Sequence, residues 1–225
     1  MKAILIPVKE FHQAKQRLAP HVPPQYRATL AQAMCADLFR IVRKARGVDR
    51  VFVISKEVWA LAQANALGWE TIIESNQTSE SDSVDAGSSY CVTQGVRALL
   101  RLPIDIPLTQ PQDIEAVFER LDGETDAVIV PSGSGTGTNA ILRSPPDLFP
   151  SRFGPNSFAL HHAEAARSSA RMSVYRNPRL ELDIDELEDL VALAPQLLPD
   201  SETSRWFAAN GPHLLSQANR AGAAD

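Results

Sequence analysis

Lys9, Lys15 and Arg17 place three cations within nine residues, directly after an apolar run at residues 3–8. A polyphosphate suits such a loop, because lysine offers a point charge and arginine a two-pronged donor. A solvated surface loop is the other reading, and spacing alone does not choose between them. The loop has none of the glycines of a Walker P-loop, which excludes that ATPase motif. Asp105 sits in Leu102-Pro103-Ile104-Asp105-Ile106-Pro107-Leu108, at the end of a second apolar run. A carboxylate there needs a partner. A divalent cation is one choice, since magnesium takes one or two carboxylates together with phosphate oxygens. Capping the turn before a helix at Pro111 is the other. In Leu182-Asp183-Ile184-Asp185, extended geometry points both carboxylates to one side. They serve either a common site or the acidic lead-in to a helix over 186–194.

A further candidate is Gly133-Ser134-Gly135-Thr136-Gly137-Thr138-Asn139, followed by Phe153-Gly154-Pro155-Asn156-Ser157. The first stretch lies between two predicted strands, so it is not the strand–glycine–helix fingerprint of a dinucleotide site. Its glycines are expected to expose backbone N–H groups and its threonines to add hydroxyl donors. Gly154-Pro155 predicts a turn, and Ser157 the start of a helix whose first N–H groups attract anions. Together the two stretches read as a pocket for a small phosphorylated or carboxylated molecule. Taken singly, each reads as a flexible loop or a helix cap. His161, His162 and Glu164 offer no metal cluster, because adjacent histidines on a helix diverge, and they are assigned structural roles.

The elements that must position these residues alternate between β-rich and helical patterns, as in a mainly parallel sheet flanked by helices. Strands are predicted at 3–8, 50–55, 70–74, 98–103, 126–131 and 139–143, with an extended segment at 179–184. Helices are predicted at 24–46, 57–67, 88–94, 111–121, 157–169 and 186–194, and loops at 9–23 and 75–83. The chain of 225 residues suits one large α/β domain, here 1–198. Residues 199–225 form an extension, partly docked through Trp206, Phe207, Leu214 and Leu215, with a frayed end at 220–225. An exposed Trp206-Phe207 would offer a homodimer contact. A core of this size buries roughly 70% of the unfolded surface without staples. Hydrophobic residues at 44% and charged residues at 22% argue against disorder. A net charge of −5 disfavours nucleic acid. No apolar run is long enough to span a membrane. The first residues read as a strand rather than a signal peptide, and only Cys35 and Cys91 are present. Both features fit the cytoplasm.

The chain resembles the guanylyltransferases of coenzyme F420 biosynthesis, over residues 1 to about 195. The resemblance lies in Ile6-Pro7-Val8-Lys9 with Lys15-x-Arg17-Leu18, Asp105-Ile106-Pro107-Leu108, Gly135-Thr136-Gly137-Thr138-Asn139, Phe153-Gly154-Pro155-Asn156-Ser157 and Asp183-Ile184-Asp185. It implies a single-domain nucleotidyltransferase of glycosyltransferase-A-like, Rossmann-like fold that moves GMP from GTP to a small phosphorylated acid. By the resemblance Asp105, Asp183 and Asp185 would hold Mg2+, and Val8, Lys9, Lys15 and Arg17 would contact GTP. Lys15, Arg17 and Asp105 would carry catalysis, and Thr138, Gly154 and Ser157 would hold the acceptor. The family's acceptors are 2-phospho-L-lactate, phosphoenolpyruvate and 3-phospho-D-glycerate. The last is slightly favoured, because Ser83-Val84-Asp85-Ala86-Gly87 stands where many relatives carry a Leu-Asn pair, and this segment, up to Cys91, could add polar contacts. Transfer from another nucleotide, such as CTP to a sugar-alcohol phosphate, is the alternative enzyme. A non-catalytic nucleotide-binding module is the alternative outside catalysis.

Overall fold

The computed structural model describes residues 1–221, with side chains described through residue 211. Seven strands form one sheet: β1 (Lys2–Val8), β2 (Arg50–Ser55), β3 (Glu70–Ile73), β4 (Ala98–Arg101), β5 (Ala127–Pro131), β6 (Thr138–Arg143) and β7 (Met172–Val174). Their order is β3-β2-β1-β4-β6-β5-β7. All pairings are parallel except those of β6, which runs antiparallel to both β4 and β5. β1 shows why both faces are covered. Ile4, Ile6 and Val8 join one apolar cluster, while Ala3 and Leu5 join another on the opposite face, as a two-sided buried strand requires.

The helices are α1 (Pro24–Val42), α2 (Val58–Ala66), α3 (Glu80–Thr93), α4 (Pro111–Glu119), α5 (Ser157–Arg167), α6 (Pro178–Glu181), α7 (Leu187–Leu193) and α8 (Glu202–Ala221). Two of these helices and one strand differ from the sequence expectation for identifiable reasons. α3 starts at Glu80, inside the predicted polar loop, because Ser79 Oγ accepts the Asp82 amide at 3.1 Å. Residues 75–78 are irregular as expected, and 79–83 are a helix cap and an acidic first turn rather than loop. Residues 178–181 are one helical turn rather than extended chain, since Asn177 caps it through the Arg179 amide at 3.0 Å and Pro178 opens it. β7 is three residues long and carries too little pattern to be read. Residues 9–23 contain two 3-10 turns, Phe11–Gln13 and Gln16–Leu18.

The segment after residue 198 forms α8, which packs on α1. Asp37 of α1 caps it: its carboxylate accepts the Glu202 amide at 2.9 Å, the Thr203 amide at 2.8 Å and the Thr203 hydroxyl at 2.7 Å. Trp206 is only 7% exposed, and its indole N–H donates to Thr29 Oγ1 at 2.9 Å. Trp206-Phe207 is therefore not the exposed pair expected for a homodimer contact, because both residues pack into an apolar cluster of their own chain. The side chains of Leu214 and Leu215 and the end at residues 222–225 lie outside the described residues.

Candidate active site

The strand order reverses between β1 and β4, and in open α/β sheets the crevice at that reversal is where ligands bind. The loop bearing Lys15 leaves β1 there, and the turn bearing Asp105 leaves β4. Lys15 Nζ donates to Asp105 Oδ2 at 2.8 Å, to Asp185 Oδ1 at 3.2 Å and to the Ile184 carbonyl. Arg17 Nη1 donates to Asp185 Oδ2 at 3.2 Å. The Ile184 amide donates to the Asp105 carbonyl at 3.0 Å, which fixes the 183–185 segment against the β4 turn. Ile184 itself is buried in the α1–α8 cluster. Alternation then leaves Asp183 and Asp185 on the side of the cations.

The cap reading for Asp105 does not hold, because Gln110 and Asp113 form the cap of α4. Glu186 with Asp189 forms the cap of α7, and Asp183 and Asp185 lie just ahead of it.

Lys15 adopts a left-handed backbone, φ 54°, which costs a non-glycine residue roughly 1 kcal/mol. Buried Arg27 of α1 holds the loop in that shape, donating to the Ala14 and Lys15 carbonyls at 3.2 and 3.4 Å. The conformation turns the ammonium inward, leaving the Lys15 side chain 6% exposed. Burial opposes its charge, but Asp105 and Asp185 more than compensate, so its pKa is raised. Burial likewise opposes the Asp105 charge, and Lys15 and Arg101 overcome it, lowering its pKa. Asp183 goes the other way. Burial and the neighbouring charge of Asp105 push it up to about 6, against a hydrogen bond from Asn139 Nδ2 at 3.1 Å.

Asp105 and Asp183 thus form a pair of hard oxygen donors, in which Lys15 balances Asp105 and the charge on Asp183 is disfavoured by burial and by Asp105. That chemistry fits a magnesium ion completed by phosphate oxygens. Among the described residues no three His, Cys, Asp or Glu side chains gather into a metal group, and Asp185 is turned to Lys15 and Arg17 instead. Lys9 is exposed and pairs with none of these carboxylates. The Val8 carbonyl is already taken by Ser55 Oγ at 2.6 Å and Gln77 Nε2 at 2.9 Å.

Thr138, Gly154 and Ser157 come together around His161, which lies one turn beyond Ser157 on α5. Thr138 Oγ1 is 3.0 Å from His161 Nδ1, and the Arg152 amide donates to His161 Nε2 at 2.9 Å. Gly154 needs its glycine, with φ 124°. The amides of Gly133, Gly135 and Gly137 are not free as expected. They donate to the Glu181 carbonyl, the Ser132 carbonyl and Ser132 Oγ. The stretch is a self-satisfied turn that leads Thr138 and Asn139 into β6. Two residues had no role in the sequence reading. Asn139 orients Asp183, and Arg101, on β4, faces the same region. An arginine inside Leu99-Leu100-Arg101-Leu102 was the available signal.

The pattern of the CofC-like guanylyl transferases matches residues 1–197. The chain belongs to that family. It is 35% identical to a phosphoenolpyruvate guanylyltransferase of Rubrobacter xylanophilus, covering 84% of this chain and 91% of the relative. It is 34% identical to a 2-phospho-L-lactate guanylyltransferase of Methanothermobacter thermautotrophicus, covering 83% and 81%. A crystal structure described as a nucleotide-diphospho-sugar transferase, from Desulfovibrio desulfuricans G20, superposes with a TM-score of 0.78 over 96% of this chain and 97% of that one, at 16% identity. The guanylyl transferase chain accordingly has the glycosyltransferase-A-like nucleotidyltransferase fold. None of its described helices is long and apolar enough to cross a membrane.

Proposed function

We propose that the protein transfers GMP from GTP to a small phosphorylated carboxylic acid and releases pyrophosphate, within coenzyme F420 biosynthesis. The observation that carries this is the meeting of Lys15 and Asp105, from two strand ends at the sheet's reversal, with Asp183 and Asp185 from the segment between α6 and α7. The acceptor proposed is phosphoenolpyruvate or 2-phospho-L-lactate, for which the relatives are named. The 83–91 segment lends no support to 3-phospho-D-glycerate, because Ser83, Asp85 and Ser88 are engaged within the chain. Ser83 Oγ donates to Glu74, Asp85 accepts the Ser151 amide at 3.0 Å, and Ser88 Oγ accepts from Arg143 at 2.9 Å. Transfer from CTP to a sugar-alcohol phosphate, or binding without turnover, has no comparable support.

The acceptor's phosphate is largely dianionic at neutral pH, since its second ionisation lies near 6. One of its oxygens attacks the α-phosphorus of GTP. The bond from that phosphorus to the bridging oxygen breaks, and pyrophosphate leaves with the electron pair. No proton has to be removed, so no general base is required. The obstacle is bringing two polyanions together. Lys15 and Arg17 supply positive charge beside the phosphates, and Lys15 is already aimed inward by its backbone. Asp105 and Asp183 would hold Mg2+, which when bound neutralises phosphate charge. Thr138, Gly154 and Ser157 would position the acid.

The test is to incubate the protein with GTP, magnesium chloride and each acceptor, following pyrophosphate release and product mass. Turnover with phosphoenolpyruvate or 2-phospho-L-lactate is expected, and Asp105→Asn should lose at least about a hundredfold in rate. No release with any acceptor, or an unimpaired Asp105→Asn, overturns the reading.

A further inference from the structure

Arg101 is flanked in the sheet by Leu5 of β1 and Ile141 of β6, and it is 5% exposed. Removing a permanent cation from water costs several kcal/mol unless partners replace the water. Its surroundings therefore show which charge it serves. Among the described residues one carboxylate lies within hydrogen-bond reach: Nη2 donates to Glu80. Nη1 donates to the Asn139 carbonyl at 2.8 Å, the guanidinium carbon lies 4.2 Å from the Phe153 ring centre, and Nε has no partner. Asp105 and Asp183 favour its charge from further off, yet burial still draws its pKa down to about 10. The cation is under-compensated.

The positions of these contacts matter. Asn139 follows Thr138, Phe153 precedes Gly154, and Asp105 lies four residues along the chain. Arg101 thus links the carboxylate pair to the Thr138–Gly154–Ser157 region. The geometry points to Arg101 as the cation that receives the carboxylate of the phosphorylated acid, with Glu80 as the resident carboxylate that the acid displaces.

This inference rests on the guanylyl-transfer reading for its ligand class. Stacking on Phe153 holds the guanidinium plane fixed, which suits a planar carboxylate gripped by two N–H groups. Glu80 shows that a carboxylate fits there, and it can leave at little cost. It is the first residue of α3, its side chain is 28% exposed, and water solvates it once released. Arg101 has no such exit. The triphosphate already has Lys15 and Arg17, so the acid is the anion left for Arg101.

Calorimetric titration of the full chain with phosphoenolpyruvate, with a non-reacting GTP analogue present, tests this. Arg101→Lys keeps the charge but loses the fork. It should weaken phosphoenolpyruvate binding at least tenfold, while affinity for the GTP analogue stays within twofold. Glu80→Gln removes the competing charge and should tighten phosphoenolpyruvate binding threefold or more, a direction that a purely structural ion pair does not produce. It also keeps the test decisive if Arg101 variants fail to fold. Unchanged affinity in Arg101→Lys, equal or weaker binding in Glu80→Gln, or no binding by the unaltered protein overturns the inference. Pyrophosphate release measured in parallel separates the two readings. Turnover with Arg101→Lys unaffected removes Arg101 alone. The predicted binding pattern without turnover removes guanylyl transfer and keeps Arg101.

Discussion

Acid should weaken this fold through one side chain whose wiring can be followed atom by atom. His161 is fully buried, and its Nε2 accepts the Arg152 amide. Nε2 is therefore the bare nitrogen, and Nδ1 carries the hydrogen shared with Thr138. A second proton would have to sit on Nε2, facing the Arg152 N–H, out of water and near Arg143, Arg101 and Arg152. Burial first, and then those cations, push the pKa from 6.5 to about 3. The unfolded chain binds the proton near pH 6.5, whereas the folded one resists it to about pH 3. The contribution to stability is thus complete above pH 6.5 and is lost as pH falls toward 3. Each pH unit in that window is worth about 1.4 kcal/mol, which makes the loss about 2 kcal/mol by pH 5. Urea unfolding of the protein and of His161→Gln at pH 8, 7, 6 and 5 isolates this term, since other titrating groups cancel. Glutamine can still accept the Arg152 N–H through its amide oxygen but does not titrate. The difference in unfolding free energy between the two proteins should shrink by about 2 kcal/mol between pH 7 and pH 5. A difference that stays constant across the range refutes the claim that the fold holds His161 neutral.

Two other substitutions probe how the frame is held. Asp37→Ala leaves two amides and a hydroxyl at the start of α8 without their acceptor. It should cost about 2–3 kcal/mol and expose residues 199–211 to limited proteolysis. An unchanged cleavage pattern would show that α8 docks without the cap. Gly87→Ala sets a helix-propensity gain of roughly 1 kcal/mol against a new Cβ lying 2.8 Å from Leu5 Cδ2, an overpacking cost of about 1–3 kcal/mol. Overpacking should win, giving a net loss of about 1 kcal/mol in denaturant unfolding. A gain would mean that Leu5 swings away freely.

Local patterns determined the alternation of strands and helices, the two-sided burial of β1 and the chemical candidates at 15, 17, 105, 183 and 185. These are short-range properties, since period-two and period-3.6 burial and charged residues at strand ends are legible within a dozen positions. What only the tertiary structure decided was pairing across distance. Nothing local says that Lys15 reaches past Asp105 to Asp185, 170 positions away, or that Asp185 faces cations while Asp183 crowds Asp105. The glycine stretch looked like a donor loop because its composition is that of one, but closure of the turn onto Ser132 and Glu181 uses up those amides. Trp206 looked exposed because its burial depends on a partner helix that begins 182 residues earlier in the chain. Arg101 went unread for the same reason. The carboxylate, carbonyl and ring that receive it come from three separate segments, and only their convergence gives a buried cation somewhere to be.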